Sequence, residues 1–328
     1  MYNFCTLFDT NYLSRGVALY RSIENVCKDF HIYIFAFDST CFNILNKMNL
    51  NKATIISLTE FEDDKLLKVK PSRSKAEYCW TSTSSTILYV LKKYNVESCT
   101  YLDADLFFYS SPKPIFDELG DKSILITEHR YSPQYDKSKK SGKYCVQFIT
   151  FKNDEFGLSA LKWWRERCIE WCYNRFEDGK FGDQLYLDDW TTRFDGVHVM
   201  QNQGGGLAAW NVQQYDFYKK DNSFFCKEKK SGKDFEVIFY HFHYLRFFKN
   251  DIIELGRRYL NNDVKNYFYK PYILCLEKIE KEISQIDDKI IGNENLIYSL
   301  NWKSPLIFLW RKIRETYNIY NKNEFLKN

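Results

Sequence analysis

The chain has 328 residues, 18% of them aromatic, and a net charge of +4, which suits one nucleotide-binding α/β domain plus an appendage. Its basic residues are interspersed with acidic ones, so nucleic acid is not an expected partner. The first residues lack signal-peptide regions and no apolar run reaches the roughly 18 residues of a membrane span, so we expect a cytoplasmic protein whose ten cysteines are reduced.

The predicted elements alternate between strands and helices along most of the chain. Leu13, Val17, Tyr20 and Ile23 repeat at helical spacing. In chain order, the patterns predict a strand at 3–8, a helix at 13–23, strands at 31–37 and 55–58, a helix capped by Ser84 or Ser85 through Tyr94, strands at 99–102, 124–127 and 146–151, a helix at 156–176 and a last strand at 237–240. Near-continuous apolar strands of this kind are typical of a parallel sheet covered on both faces. The predicted fold class is therefore α/β.

The composition changes after the last predicted strand to Lys, Asn, Glu and Tyr with helical periodicity. We place a boundary near Asp251, which predicts a domain at residues 1–250 and a helical C-terminal extension at residues 251–328. Within the extension, WKSPLIFLWRKIRETYNIY at 302–320 mixes basic with apolar side chains. This pattern suits a helix lying on an anionic membrane surface, and equally a helix packed against the protein.

The segment CTYLDADLFFYSSP carries the strongest chemical signal, because an apolar strand leads directly into Asp103, Ala104 and Asp105. Residues two apart on an extended chain point to the same face, and α/β sheets bind ligands beyond the carboxyl ends of their strands. Carboxylate pairs are ligands for hard divalent ions. The segment thus predicts a site for Mn²⁺ or Mg²⁺, with a pair of capping or solvated acids as the alternative.

At these residues the chain resembles the nucleotide-sugar transferases of the GT-A fold, particularly the family 8 glycosyltransferases of the lipooligosaccharide galactosyltransferase and glycogenin type. The resemblance covers residues 1 to about 248 and implies a Rossmann-like nucleotide-diphospho-sugar transferase fold. Its most specific match is YLDADLFF at 101–108. It implies that Asp103 and Asp105 hold the metal ion and that Ala104 also lies at the donor.

The end of the first predicted strand, FDTNYL, is similar to the family's nucleoside-binding pattern. The resemblance implies donor contacts from this strand and the turn after it, at Thr6, Phe8, Asp9, Asn11 and Tyr12. A helix cap formed by Asp9 or Asn11 is the alternative.

The segment YHFHYL places His241 where the family has its third metal ligand, with His243 as a competitor. Tyr244 replaces a family glycine, and the Lys-Pro-Trp that follows in the family is missing. The family's arginine ahead of the aspartate strand is also missing, although Arg73 and Lys75 lie near that place in the sequence. The resemblance therefore leaves the groups that neutralise the diphosphate incompletely assigned.

Three further segments match the family or add to the predicted cleft. FGDQLYLDDW resembles Gly-Asp-Gln-x-x-Leu-Asn, which implies that Asp183 and Gln184 face the donor sugar as catalytic residues, while Asp188 replaces the asparagine. GGGLAAWN at 204–211 resembles the Trp-Asn that follows, and its glycines either bring backbone close to a ligand or form a plain turn. HRYSP at 129–133 either adds a basic residue to the cleft or is a surface loop.

The resemblance implies a metal-dependent transfer of a hexose from a nucleotide sugar, with UDP-hexose expected, to a glycan or lipid-linked glycan in surface polysaccharide biosynthesis. It also implies retention of configuration, because family members retain it. Asp188 or Asp189 acting as a base would instead give inversion. A nucleotide-sugar hydrolase and an inactive nucleotide-sugar-binding protein are the alternatives. If the helix at 302–320 is interfacial, the protein is also peripheral on the inner face of the membrane.

Overall fold

The computed structural model describes residues 1–288 and 304–327. Residues 289–303 and 328 of the predicted extension, including Trp302 and Lys303 of the possible interfacial helix, lie outside the described residues. The strands are β1 (Tyr2–Phe8), β2 (Phe30–Ala36), β3 (Ala53–Ser57), β4 (Ser98–Leu102), β5 (Leu106–Phe108), β6 (Ile124–Glu128), β7 (Tyr144–Lys152), β8 (Val197–Val199), β9 (Leu207–Ala208), β10 (Tyr215–Lys220), β11 (Ser223–Glu228), β12 (Asp234–Glu236), β13 (Phe239–His241), β14 (Arg246–Phe248), β15 (Ile252–Glu254) and β16 (Ile319–Asn321).

The α-helices are α1 (Leu13–Val26), α2 (Ser39–Met48), α3 (Leu58–Phe61), α4 (Asp64–Val69), α5 (Lys75–Lys93), α6 (Lys113–Leu119), α7 (Ser138–Ser141), α8 (Glu155–Glu170), α9 (Trp190–Arg193), α10 (Asn262–Val264), α11 (Lys270–Ile286), α12 (Ser304–Ile313) and α13 (Lys322–Lys327). A π-helical segment, Lys265–Tyr269, joins α10 to α11. Single turns of 3₁₀ helix occur as well, and two of them, Thr10–Tyr12 and Leu185–Leu187, lie in segments with predicted site residues.

The central sheet has seven strands in the order β3-β2-β1-β4-β7-β6-β8. The pairs among β3, β2, β1 and β4 are parallel, which confirms the predicted parallel arrangement for this half of the sheet. Strand β7 runs antiparallel to both of its neighbours, β4 and β6. The strand that is first in the chain therefore lies inside the sheet, with β4 beside it.

Each face of the sheet is covered by its own apolar core. Phe4 and Phe8 of β1 pack on one face with α1, whereas Cys5 and Leu7 pack on the other face with α5 and α8. This division follows from the alternation of side chains along a strand. Trp164 of α8 is fully buried in the second core, as predicted for this helix. All ten cysteines are free.

Two predicted helix bounds are wrong. Helix α5 begins at Lys75, where the side chain and backbone of Ser74 exchange hydrogen bonds with Glu77 in a capping box, so Ser84 and Ser85 lie buried inside the helix. Helix α8 ends at Glu170 rather than at residue 176, because Trp171 already has extended backbone angles, φ −151° and ψ 120°.

The C-terminal part contains strands as well as the predicted helices. Strands β14, β15 and β16 form a separate antiparallel sheet. Helix α11 packs against α1, where Arg21 and Glu282 form an ion pair at 2.5 Å. The division of domains near Asp251 stays a prediction. None of the helices among the described residues combines the length and apolar character that crossing a membrane requires.

Candidate active site

Strand β4 delivers the two acidic residues to the carboxyl edge of the central sheet. Directly after it, the Asp103 N–H donates to the Gln147 carbonyl oxygen on β7 at 3.0 Å, and the Leu106 N–H donates to the Asp103 carbonyl oxygen at 3.1 Å. This second bond closes a turn that contains Asp105, whose side chain is 12% exposed. Backbone bonds thus hold both acids where the strand ends, as predicted, but in a turn rather than on the extended chain that the shared-face prediction assumed.

A small second sheet brings His241 to these acids. Strand β13 pairs antiparallel with β5, placing His241 opposite Leu106, and it pairs parallel with β9 on its other side. The Nε2 atom of His241 lies 3.0 Å from an Asp105 carboxylate oxygen and 3.7 Å from an Asp103 oxygen. The three predicted metal ligands therefore meet, although His241 lies far along the chain from the two acids.

The residues at this edge have the chemistry of a divalent-metal centre. Ligand atoms of Asp105, His241 and His243 lie within 4.8 Å of one another, and His243 is the exposed member of the three. Asp103 lies at the border of this group, beside His241. Carboxylate oxygen and imidazole nitrogen are accepted by Mn²⁺ and related ions, so the residues present fit such an ion. The choice between His241 and His243 as the third ligand stays open, because both imidazoles lie in this group.

Charge and burial set the protonation of the cluster. Burial alone would raise the pKa of Asp105, but the charge and hydrogen bond of His241 lower it to about 2. Burial, with a contribution from Asp105, raises the pKa of Asp103 to about 6. Burial alone would lower the pKa of His241, yet the Asp105 carboxylate raises it well above its usual value. The imidazole must lose this proton when its Nε2 binds a metal ion, because histidine coordinates in its neutral form.

Gln147 orients the His241 ring. This glutamine was not identified from the sequence as a site residue. It is fully buried on β7, and its Oε1 atom lies 2.7 Å from the His241 Nδ1 atom. An amide oxygen accepting from Nδ1–H fixes the ring with Nε2 towards the acids, as hydrogen-bond partners of metal-binding histidines do. An amide side chain inside the largely apolar strand YCVQFITF is the signal that could have indicated it.

The segment GGGLAAWN forms the wall behind the histidines. The Trp210 ring meets His241 edge to face at 5.3 Å between ring centres. Asn211 donates to the backbone carbonyls of His129 and Gly206 at 3.0 Å and 2.9 Å. Gly206 has φ +97°, and a Cβ there would lie 3.0 Å from the side-chain nitrogen of Gln147. A glycine is needed here because a larger residue would crowd the partner of His241.

The two predicted catalytic residues lie in a loop that follows α8. Asp183 is 6% exposed, and burial, followed by the charge of Asp103, raises its pKa to about 8. Its backbone carbonyl accepts a hydrogen bond from the Trp164 indole at 2.9 Å. The Gln184 amide donates to the Ser141 carbonyl. Asp183 thus lies within electrostatic reach of the metal cluster, while Gln184 is held by the turn at α7.

The residues predicted to contact the nucleoside surround the end of β1. Asp9 caps the 3₁₀ turn by accepting from the Asn11 backbone N–H at 3.0 Å and from the Asn11 side-chain amide at 2.8 Å. The capping role given above as the alternative for Asp9 is therefore present. The Tyr12 side chain is 45% exposed. Thr6 and Phe8 are buried within the strand. The role of these five residues in donor binding stays a prediction.

Two of the basic residues singled out in the sequence are occupied by structural contacts. The Arg130 guanidinium donates to three backbone carbonyls in residues 200–205, each at 3.0 Å. It therefore holds a loop together. Arg73 donates to the Ile169 carbonyl at 3.1 Å and stacks on Tyr173 at 3.9 Å.

Comparison with known proteins gives two relatives and a fold. No protein-family model matches the chain. It is 35% identical over 247 residues to the uncharacterized protein YfnF of Bacillus subtilis (strain 168), covering 73% of this chain and 80% of the relative. It is 31% identical over 288 residues to the uncharacterized protein YfnD of the same strain, covering 86% and 91%.

Among solved structures, the chain is similar to galactosyltransferase LgtC, which was determined in complex with donor and acceptor sugar analogues. The TM-score is 0.51 at 11% sequence identity, and the match covers 84% of this chain and 95% of that chain. At this identity the likeness shows the fold. It confirms the predicted GT-A fold.

Proposed function

This chain belongs to the protein family that includes YfnF and YfnD and has the GT-A fold, and we propose that it is a metal-dependent glycosyltransferase. The reaction moves a hexose from a nucleotide sugar, with UDP-hexose as the donor, to a glycan or lipid-linked glycan in surface polysaccharide biosynthesis. The observation that carries the proposal is the group of Asp105, His241 and His243 with Asp103 beside it, at the carboxyl end of β4.

In this proposal Asp103, Asp105, His241 and the exposed His243 would hold Mn²⁺ or Mg²⁺. The ion would supply Lewis-acid stabilisation of the leaving diphosphate. Gln147 keeps the His241 ring in the orientation that ligation requires. The two acids emerge from one buried strand end, so little reorganisation is needed when they bind.

Asp183 and Gln184 are proposed to act on the donor sugar. An oxocarbenium-like charge develops on the sugar ring as its bond to the diphosphate breaks, and the oxygen atoms of nearby carboxyl and amide groups stabilise such charge. Asp183 is buried within reach of the Asp103 charge, which supports a place beside the metal-bound donor. Gln184 follows it directly and ends the same loop.

We also propose that the reaction retains configuration at the anomeric carbon. An inverting route needs a free carboxylate base aimed at the acceptor hydroxyl, and two acids were candidates for it. Asp188 accepts a hydrogen bond from the Lys143 N–H at 2.8 Å, and Asp189 is paired with Arg193 at 2.5 Å. Both carboxylates are thus engaged with other groups, which supports retention.

A single assay tests this function and its alternatives. The purified full-length chain is incubated with Mn²⁺ and a panel of nucleotide sugars, with and without candidate glycan acceptors, and released nucleoside diphosphate is measured. A transferase releases it faster with an acceptor, and removing the metal with EDTA stops the release. Release at full rate without acceptor indicates a hydrolase, and binding without release indicates an inactive binding protein. Proton NMR of the first product from an α-linked donor gives an α-glycoside if configuration is retained.

The proposed location is the cytoplasmic face of the membrane, reached through α12. Leu306, Leu309, Trp310 and Ile313 are each more than half exposed, and Lys312 is exposed beside them. Apolar and basic side chains on one short helix suit an anionic lipid surface. We expect the chain to sediment with anionic vesicles at low salt and the double variant Leu309→Glu, Ile313→Glu to stay in solution. If the unchanged chain does not sediment with the vesicles at any salt concentration, α12 packs against the protein and does not bind the membrane.

A further inference from the structure

The loop between β6 and β7 connects a candidate catalytic residue to three lysines. The Gln184 side-chain amide donates to the backbone carbonyl of Ser141, the last residue of α7 in this loop. The Ser141 N–H in turn donates to the Lys137 carbonyl at 2.8 Å. The side chains of Lys137, Lys139 and Lys140 are exposed. A single helical turn therefore links Gln184 to three cationic side chains.

Arg258 reaches the same loop from the C-terminal part of the chain. Its guanidinium lies over the Tyr135 ring, 4.8 Å from the ring centre, and the Tyr259 N–H donates to the Tyr135 hydroxyl oxygen at 2.8 Å. The Arg258 carbonyl oxygen accepts from the Asn318 side-chain amide at 2.6 Å. Because Tyr135 stands two residues before Lys137, these contacts hold Arg258 beside the lysine loop.

Arg258, Lys137 and Lys140 form a cationic group without a carboxylate partner. In the described parts of the chain, 1–288 and 304–327, none of the three takes part in an ion pair, whereas Arg257 lies 3.5 Å from Glu254. The Arg258 Nε atom is buried without a hydrogen-bond partner among these residues. Burial lowers the pKa of Lys137, and the charges of Arg258 and Lys140 lower it further. An anion bound here would relieve this repulsion and give the Nε–H an acceptor.

The other charges of residues 129–143 are engaged within the protein. Asp136 is the only acid of this segment, and its carboxylate accepts from the Ser138 N–H at 2.7 Å. This bond lowers the pKa of Asp136, and the charge of Lys139 contributes. Lys143 pairs with Glu128 at 2.8 Å. Lys139 is thus set beside an acid, which distinguishes it from Lys137 and Lys140.

Aromatic side chains lie between the cationic group and the candidate metal centre. The Trp210 ring lies 5.3 Å from the His241 ring and 6.3 Å from the Tyr131 ring. Tyr131 is half-buried and precedes Tyr135, the residue under Arg258, by four positions. Contacts therefore pass from the metal ligands through two rings before they reach the loop of the cationic group.

The cationic group also lies between the candidate catalytic loop and α12. The turn that carries Arg258 is bound to α12, because the Arg311 guanidinium donates to the Gly256 carbonyl at 3.1 Å. On the other side, the loop that carries Lys137 holds Gln184. In a lipid-linked glycan the phosphate lies between the lipid and the sugars. An acceptor anchored beside α12 and reacting beside Gln184 would place its phosphate at this group.

We propose that Arg258, Lys137 and Lys140 bind the phosphate of a lipid-linked acceptor, so that the acceptor is a lipid phosphate or diphosphate that carries the glycan. This inference rests on the proposed function and names the acceptor class of the same site. The planar guanidinium fork matches phosphate oxygens, and lysines bind phosphate as point charges. A lipid diphosphate ester carries two negative charges, which three cations can neutralise without a metal ion.

The test measures binding to the full-length chain in EDTA, so that no metal ion can hold the probe. Titration calorimetry gives the dissociation constant of geranyl diphosphate, a short isoprenyl diphosphate, with geraniol as the uncharged comparison. The variants are Arg258→Gln, Lys137→Gln, Lys140→Gln and the double variant of Arg258 and Lys137. Arg257→Gln and Lys139→Gln are matched controls, because each neighbours the group and faces an acid. Circular dichroism confirms that each protein is folded.

We expect Arg258→Gln to weaken geranyl diphosphate binding about tenfold to a hundredfold, the range of a charge-assisted hydrogen bond. Each lysine variant should weaken it about twofold to fivefold, the range of an exposed ion pair. The two controls should bind like the unchanged chain, and Arg258→Lys should restore part of the loss. Binding of Mn²⁺, measured without EDTA, should be the same in all variants.

The inference is overturned if the unchanged chain binds geraniol as tightly as geranyl diphosphate or binds neither, if the double variant binds the diphosphate undiminished, or if the controls lose equally. Sedimentation with phosphatidylglycerol vesicles separates the two sources of phosphate. A double variant that loses only vesicle binding shows that the cations contact membrane headgroups, which also overturns the acceptor assignment. Arginine-dependent diphosphate binding without turnover of any nucleotide sugar leaves the phosphate site standing and removes the proposed function.

Discussion

Asp103→Asn is expected to reduce metal-dependent turnover to less than about a hundredth of the unchanged chain, the scale of removing a main electrostatic contact of the transition state. Asparagine keeps the shape of the side chain and removes the charge. The Asp103 side chain is 31% exposed, and the closer pair of Asp105 and His241 remains intact, so the fold should persist. Initial rates at saturating Mn²⁺, with a thermal melt of the same sample, give the measurement.

Asp105→Asn should remove turnover to the same extent and also lower the melting temperature, because it breaks a buried ion pair with His241. The control is Asp117→Asn, which removes a carboxylate that pairs with Lys113 on the exposed side of α6. It should leave the rate unchanged. Turnover above a tenth of the unchanged rate in a folded Asp103 or Asp105 variant contradicts the metal assignment.

His241→Ala is expected to weaken Mn²⁺ binding about tenfold to a hundredfold, and His243→Ala to weaken it less. His241 is buried, lies 3.0 Å from Asp105 and has its ring fixed by Gln147, so its Nε2 atom is already placed for ligation. The exposed His243 has more freedom to lose when it binds. Dissociation constants for Mn²⁺ from titration calorimetry provide the comparison.

Gln147→Leu tests whether the orientation of this ring matters. Loss of the group that hydrogen-bonds to a metal-binding histidine lowers metal affinity by about tenfold to a hundredfold, so this variant should approach His241→Ala in its effect on Mn²⁺ binding. His198→Ala is the matched control, since that histidine pairs with Glu118 at 2.9 Å and belongs to no predicted ligand set. If the His241 and His243 variants lose Mn²⁺ affinity equally, neither histidine is the preferred third ligand. If Gln147→Leu binds Mn²⁺ as tightly as the unchanged chain, Gln147 does not position His241.

The acidic edge of the sheet could be predicted because its signals are local. An apolar strand followed at once by two acids indicates both the burial of β4 and the place where it ends. His241 was identified through the family resemblance alone, since nothing near it in the sequence marks it as a ligand. Gln147 depends on the antiparallel register of β4 and β7, in which Leu102 lies opposite Phe148. No local pattern contains that register.

The start of α5 was missed because its serines and threonines were interpreted as a cap. These residues have modest helix propensity and favour helix ends. In the structure their hydroxyls bond back to the helix, as when Thr81 donates to the Glu77 carbonyl at 2.7 Å and Thr86 to the Thr83 carbonyl at 2.7 Å. Packing of the helix between β1, β4 and α8 outweighs the weak local preference.

The three-residue strands β14 to β16 were also missed, because they are too short to leave a periodic pattern in the sequence.

The assembly of the second sheet has a consequence for the nascent protein. The acids that follow β4 leave the ribosome long before β13, and at about 5–20 residues per second on the order of ten seconds pass before His241 follows. Strands β5 and β9, which flank β13, both precede it in the chain, so the sheet partners of the histidine are already made when it emerges. A nascent chain that ends before β13 thus carries the two acids without the imidazole that lies 3.0 Å from Asp105 in the folded protein.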